Sequence, residues 1–423
     1  MISRPRTRIL LLDLYPPATR PFALPFLYLG AFLDMLDIEY RLHRCLDDRA
    51  SLLKTVEREQ ISHVFINVIM GPVLAVVEPI CHLLKEHFPD VQVWVGGVAV
   101  RHLRPLFEAS STIDRVSDAN PCEDPEFFMR ELYGNGLLSE LPRTQARFPS
   151  VLGNRNLSSF LHRHVYGSGQ VESINLVSSS GCVNRCAFCY LGQARSWAQP
   201  VPALVSDLVG LRERRGVGYV EFGDDNFPAN RARLDSFCSA LKAMGGGISY
   251  FCLSSVDVLD AGVLDQMCAS GLKRLLIGVD GLGAGHIEQL NKSYTAETAR
   301  KTIDLVRTYP VDLTLGVVLG TSGETRLTIQ ELYDWVASVG PEESMCSFLT
   351  PYPGTETYRQ ALNLGFRPPK TLAGWGALSA LQTPKGCFNP SISVEEYRDW
   401  CGRFCALSTR RYRSGIGESV RRL

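Results

Sequence analysis

Residues 174–192 read "INLVSSSGCVNRCAFCYLG". The apolar run at 174–177 ends in three serines and a glycine, and three cysteines then fall within eight positions. A short apolar run closed by Ser and Gly reads as a buried strand, which puts Cys182, Cys186 and Cys189 on the loop leaving its carboxyl end. The spacing C-x3-C-x2-C lets that one loop wrap three thiolates around a single metal centre and leaves one coordination position open. A zinc ion asks for a fourth ligand, normally from a second C-x2-C or H-x3-H pair, and no such pair accompanies the loop. His162 and His164 form only H-x-H and read as surface or core residues. A four-iron, four-sulfur cluster on three cysteines exposes one iron to a substrate or cofactor. Three thiols that merely pack in a core are the alternative.

Outward from this loop, strand-like runs recur at "INLVSS", "YVEF", "ISYFCLS", "KRLLIGV", "VDLTLGVVL" and "SMCSFLT", separated by helical runs such as "ALVSDLVGLRERR" and "AETARKTIDLVRT". Six strand-helix repeats predict a partial (β/α) barrel with its site at the strands' carboxyl ends. Toward the amino terminus, "TRILLLD", "YRLHR", "HVFINVI" and "VQVWVGG" alternate with helical runs such as "PFLYLGAFLDML" and "PVLAVVEPICHLLKEHF". That alternation predicts an α/β, doubly wound domain with a parallel sheet. Its ligand crevice is expected at the loops 13–17, 67–72 and 96–98. The expected organisation is residues 1–133 for this domain, 134–172 for a Gly-, Ser- and Arg-rich linker, 173–358 for the barrel and 359–423 for a short helical segment covering the barrel mouth.

Lys plus Arg and Asp plus Glu number 44 each, so no global field draws the chain to nucleic acid or anionic lipid. A small-molecule substrate is the expected partner. Thirteen cysteines without a secretory signal at the start point to a reducing, cytoplasmic setting. The longest apolar stretch, from His63, is broken by Asn67, Pro72 and Glu78, short of the roughly 20 residues of a membrane span.

These residues carry a resemblance. "CVNRCAFCY" is similar to the radical SAM signature C-x3-C-x-aromatic-C, with Phe188 at the aromatic position. "EFGDDNF" (221–227), "LLIGVDGLGAGHIEQLNKSYTAETARKTI" (275–303), "GVVLGTSGETRLTIQELYDW" (316–335) and "TPYPGTETY" (350–358) resemble later family segments in family order. "PFALPFLYLGAFLDM" and "HFPDVQVWVGGVAV" resemble the first helix and the fourth strand of the cobalamin-binding Rossmann domain that precedes the barrel in one radical SAM subfamily. There is no D-x-H-x-x-G, so the resemblance implies cobalamin bound base-off without a motif histidine. "SDANPCED" (117–124) stands where the subfamily carries an acidic segment.

The resemblance implies a 4Fe-4S cluster on Cys182, Cys186 and Cys189, and S-adenosyl-L-methionine contacts from Phe188, Tyr190, Gly223, Asp224, Asp225, Asn226, Ser254, Ser255 and Asp280. Asp280 is expected to bond the ribose hydroxyls. Cobalamin contacts are expected from Asp13, Tyr15, Asn67, Gly71, Gly96, Gly97 and Val98. The implied activity is cobalamin-dependent methylation of an unactivated carbon through a 5'-deoxyadenosyl radical and methylcobalamin, fed by a donor such as flavodoxin or ferredoxin. A radical SAM cyclase, ring-contraction or rearrangement enzyme is the alternative. Two others are weaker. A tRNA methylthiotransferase would need Cys45, Cys81 and Cys122 as a second cluster set, and a non-enzymatic iron-sulfur or zinc module leaves the ordered barrel motifs unexplained. Cys401 and Cys405 share a helix face and read, with Cys387, as packing residues.

Overall fold

The computed structural model of the chain describes residues 7–14, 23–45, 48–117, 149–166, 169–191, 197–321, 323–378 and 391–409. They gather into two compact units. One is built from the chain up to Leu161 together with Pro368–Ala377, the other from His162–Arg367 and the chain from Leu378.

The first unit holds strands β1 (Ile9–Asp13), β2 (Tyr40–Arg44), β3 (His63–Asn67), β4 (Gln92–Gly96) and β5 (Arg115–Ser117), in the order β2-β1-β3-β4-β5. All neighbours are parallel. Helices α1 (Leu24–Met35), α2 (Arg49–Arg58), α3 (Leu74–His87) and α4 (Val98–Glu108) connect them. Every residue of β1 is buried, as expected of a strand with helices over both faces. Strand order reverses between β1 and β3, and a crevice opens at the carboxyl ends at such a point. Pro25, Phe26 and Leu29 of α1 line a crevice with Asn67, Gly96 and Gly97. Gly97 has φ 112°, and a Cβ there would stand 2.4 Å from the Val68 carbonyl oxygen. Only glycine lets the β4–α4 turn pass so close to the end of β3.

In the second unit, β6 (Leu161–Tyr166), β7 (Gly169–Leu176), β10 (Val217–Phe222), β11 (Ser249–Ser254), β12 (Leu272–Gly278), β13 (Asp312–Leu319) and β14 (Glu343–Phe348) form one sheet in the order β14-β13-β12-β11-β10-β7-β6. From β7 to β14 the neighbours are parallel. Two short strands, β8 (Ser179–Ser180) and β9 (Trp197–Ala198), pair antiparallel on either side of the cysteine loop. The helices are α5 (Val201–Arg215), α6 (Arg231–Ala243), α7 (Ala261–Ala269), α8 (Ala284–Gln289), α9 (Ala296–Val306), α10 (Arg326–Val339), α11 (Glu356–Asn363), α12 (Leu372–Gly376), which belongs to the first unit, and α13 (Val394–Ala406). The α/β class and the six-repeat half-barrel expected from the sequence are what the structure shows.

Phe222 packs edge-on against Phe237 of α6, so the neighbouring Glu221 faces the other side of the sheet. There Glu221 meets His164 at 3.5 Å, both side chains 1 % exposed. Arg274 pairs with Glu343 and donates to Thr314 Oγ1 at 3.0 Å. The half-barrel therefore encloses a polar layer.

Two segments differ from expectation. Leu161–Tyr166, inside the expected linker, is a strand of the barrel sheet. The segment expected to cover the barrel mouth does not act as one piece: Pro368–Ala377 joins the first unit, where Gly376 abuts Ala75 of α3. Among the described residues, no helix is long and apolar enough to cross a membrane.

Candidate active site

The cysteine loop leaves β7 through Ser178–Ser180 and turns at Gly181, whose φ is 98°. Cys182, Cys186 and Cys189 are all partly exposed, unlike the buried Cys45, Cys81, Cys238, Cys252 and Cys346. Burial pushes the Cys186 thiol up, and Lys292 acts against that rise.

Two aspartates after β10 hold the entry to this loop. Asp224 accepts from the Ser178 N–H at 2.7 Å and from the hydroxyls of Ser178 and Ser179 at 2.6 Å each. Its burial raises its pKa to about 6, with the serine donors pulling it back. Asp225 accepts from the Gly181 N–H at 2.7 Å. Both carboxylates, expected to face S-adenosylmethionine, thus bond the protein's own backbone. Asn226 differs. It is 5 % exposed and its Nδ2 donates to Ser255 Oγ at 2.9 Å, with Cys182 Sγ at 3.9 Å. Its Oδ1 is buried and accepts from no donor among the described residues. Ser254 Oγ donates to the Ser255 carbonyl at 3.3 Å.

The segment 290–293 braces the loop from the β12 side. The Leu290 carbonyl accepts from Ala187 N–H at 2.9 Å, Asn291 Nδ2 donates to the Arg185 carbonyl at 2.6 Å, and Ser293 Oγ donates to Asn184 Oδ1 at 2.8 Å. Between them stands Lys292. Its ammonium pairs with Asp280 and lies 4.9 Å from the Phe188 ring centroid. Burial would lower its pKa, but Asp280 and Cys186 outweigh burial and hold it above the usual range. Asp280, expected to meet the ribose hydroxyls, is therefore engaged by Lys292. The sequence reading missed Lys292. The signal was "LNKS" beyond the β12 loop, a lone basic residue whose partner is distant in sequence. Tyr190 packs edge-on against Tyr352, ring centroids 5.6 Å apart.

Residues 176–336 match the sequence profile of the Radical SAM superfamily. This stretch is a radical SAM domain. The chain is 26 % identical over 206 residues to an anaerobic magnesium-protoporphyrin IX monomethyl ester cyclase from Synechocystis sp., covering 47 % of this chain and 40 % of that one. It is 26 % identical over 193 residues to biotin synthase of Mycobacterium tuberculosis, covering 44 % and 54 %. The chain thus spans less than two thirds of these relatives' length.

In three dimensions the likeness extends beyond the radical SAM domain. The radical S-adenosylmethionine methyltransferase TsrM from Kitasatospora setae, solved with cobalamin and a [4Fe-4S] cluster, superposes with a TM-score of 0.69 at 14 % identity over 95 % of this chain and 88 % of that one. The cobalamin-dependent S-adenosylmethionine radical enzyme OxsB gives 0.61 at 15 % identity over 85 % and 55 %. The chain shares the fold of these two enzymes.

Other expected site residues fall as follows. Asp13 Oδ2 accepts from Ala23 N–H at 2.9 Å and meets Arg44 at 3.5 Å, fixing the start of α1 to the end of β1. Tyr15 lies outside the described residues. Asn67, Gly96 and Gly97 line the first unit's crevice, Val98 opens α4, and Gly71 has φ 125° with open space beside it. Cys45 follows β2 and Cys81 lies within α3, both buried in the first unit's core; Cys122 and Cys387 lie outside the described residues. Cys401 hydrogen-bonds the Cys346 carbonyl at 3.4 Å where α13 packs on β14.

Proposed function

We propose that the chain is a cobalamin-dependent radical SAM enzyme that methylates an unactivated carbon of a small-molecule substrate. The observation that carries the reading is the braced loop with Cys182, Cys186 and Cys189 at the carboxyl end of the first parallel barrel strand, within a chain that shares the TsrM fold over 95 % of its length.

The residues fit the cofactors. Three partly exposed thiols on one loop suit a cluster with one open iron. The orphaned Asn226 Oδ1 suits a cationic donor such as the methionine ammonium of S-adenosylmethionine, because a buried amide oxygen without a donor is costly. The crevice of Pro25, Phe26, Asn67 and Gly97 offers an apolar wall and close backbone for a flat corrin ring. When bound, the cluster supplies an electron to cleave S-adenosylmethionine, and cobalamin supplies a methyl group. In this reading Asp224 and Asp225 fix the cysteine loop's entry, Phe188 and Lys292 cover the Cys186 side, and Tyr190 with Tyr352 excludes water from its far end. An electron donor such as flavodoxin or ferredoxin is part of the proposal.

A second reading ends in cyclisation without methyl transfer, and the sequence likeness to the Synechocystis cyclase favours it. Anaerobic reconstitution with iron and sulfide tests what the two share. The wild-type chain is expected to bind one four-iron cluster and to release 5'-deoxyadenosine from S-adenosylmethionine under dithionite. The variant with Cys182, Cys186 and Cys189 all changed to Ala is expected to do neither; 5'-deoxyadenosine from that variant would sink the assignment.

A further inference from the structure

We propose that Lys292 is a positioning residue that raises the reduction potential of the cluster held by Cys182, Cys186 and Cys189. This rests on the cluster assignment above. A four-iron cluster in its resting 2+ state carries a net charge of −1 with three thiolates, and taking one electron makes it −2. A fixed positive charge beside one of those sulfurs stabilises the reduced form more than the oxidised one. Net charge, hydrogen bonds to sulfur and burial are the quantities that set such potentials, and Lys292 brings a buried positive charge against Phe188, between Cys186 and Cys189 on the loop.

Its side chain is 11 % exposed, so solvent screens the ammonium poorly. The segment that carries it lies along the cysteine loop itself, the Leu290 carbonyl accepting from Ala187 N–H at 2.9 Å. The backbone on both sides is held: Asn291 bonds the Arg185 carbonyl, Ser293 bonds Asn184, and Asn291 has φ 50° in the turn. Phe188 lies along the same ammonium at 4.9 Å. The charge cannot swing to solvent without breaking its pairing with Asp280, whose own side chain is 5 % exposed. Asp280 cancels part of the field and fixes where the charge sits.

The test is a potentiometric dithionite titration of the reconstituted full chain, read by the electron paramagnetic resonance of the reduced cluster, without S-adenosylmethionine. Iron and sulfide analysis first establishes equal cluster content. Lys292→Met is expected to make reduction at least tenfold less favourable, about 59 mV for one electron. Lys292→Arg, which keeps the charge, is expected to stay within twofold of wild type, and Lys292→Met with Asp280→Asn to fall between the two. Should Lys292→Met lose its cluster, Lys292→Gln takes its place with the same expectation. An unchanged midpoint at full cluster content overturns the proposal, as does a loss of S-adenosylmethionine affinity with no change in midpoint. If the wild-type chain forms no cluster, the assignment fails and this inference with it; if the cluster forms on the three cysteines and only the midpoint is insensitive, the assignment stands alone.

Discussion

Glu221 sits in the polar layer of the half-barrel with neither carboxylate oxygen accepting a hydrogen bond among the described residues. Burial raises its pKa from 4.5 to about 7, with Arg274 pulling down and Glu343 pushing up. The groups around it are His164, itself lowered to about 4 by burial, His162, Arg274 and Glu343. A carboxyl whose folded pKa lies above its unfolded one binds more protons when folded, so stability falls as pH rises between about 4.5 and 7. The full displacement corresponds to roughly 3 kcal/mol. Glu221→Gln mimics the protonated form, so it is expected to stabilise the barrel at pH 8.5 and to change little at pH 5, measured as melting temperature at the two values. Equal shifts at both would show that Glu221 does not titrate in the fold. At this scale the sequence is a partial guide. The C-x3-C-x2-C spacing is local and legible, and the structure keeps those three thiols on one loop. Glu221 and Lys292 are not legible, because what defines each is a partner on another strand or loop that only the folded chain brings near.

Elements were legible where hydrophobic pattern and length agreed. The runs "ILLLD", "HVFIN" and "QVWVG" are strands of the first sheet, and the alternation of strands with helices fixes parallel neighbours. Helix α4 is harder to read, because Pro105 lies inside it and proline ordinarily ends a helix. Helix α12 is only five residues long, too short for a periodic signal, and its partner α3 lies about 300 positions earlier in the chain, so no local pattern could assign it to the first unit. That packing can be tested. A Cβ on Gly376 would stand 2.7 Å from the Ala75 backbone nitrogen and 3.0 Å from its Cβ. Gly376→Val is therefore expected to force the helices apart and to cost the first unit about 1–3 kcal/mol, read by urea unfolding of the full chain. Gly402→Ala on α13, where nothing lies within 4 Å, is the control expected to be nearly neutral. If both variants unfold alike, α12 does not pack on α3 in solution.

At the scale of the whole molecule, the division into two compact units lets the two proposed cofactor sites be tested separately. The first sheet's 2-1-3-4-5 order puts its switch point between β1 and β3, and α/β sheets of this order bind flat cofactors there. The proposed corrin contacts at Asn67, Gly96 and Gly97 depend on the β4–α4 turn lying against β3, which a side chain at Gly97 would prevent: its Cβ would meet Val68 oxygen at 2.4 Å and Asn67 Oδ1 at 2.8 Å. The full chain is expected to bind hydroxocobalamin one to one, with a spectrum showing loss of dimethylbenzimidazole ligation and no histidine in its place. Gly97→Val is expected to lose that binding while keeping cluster iron and S-adenosylmethionine cleavage, since its disturbance lies in the first unit. The readouts are corrin absorbance after gel filtration and iron content on the same fractions. Absence of binding by the wild type at tens of micromolar, where even an affinity of about −6 kcal/mol registers, removes methyl transfer through cobalamin and leaves the cyclase-type reading. Loss of the cluster together with cobalamin in Gly97→Val would instead mean that the two sites do not fold independently.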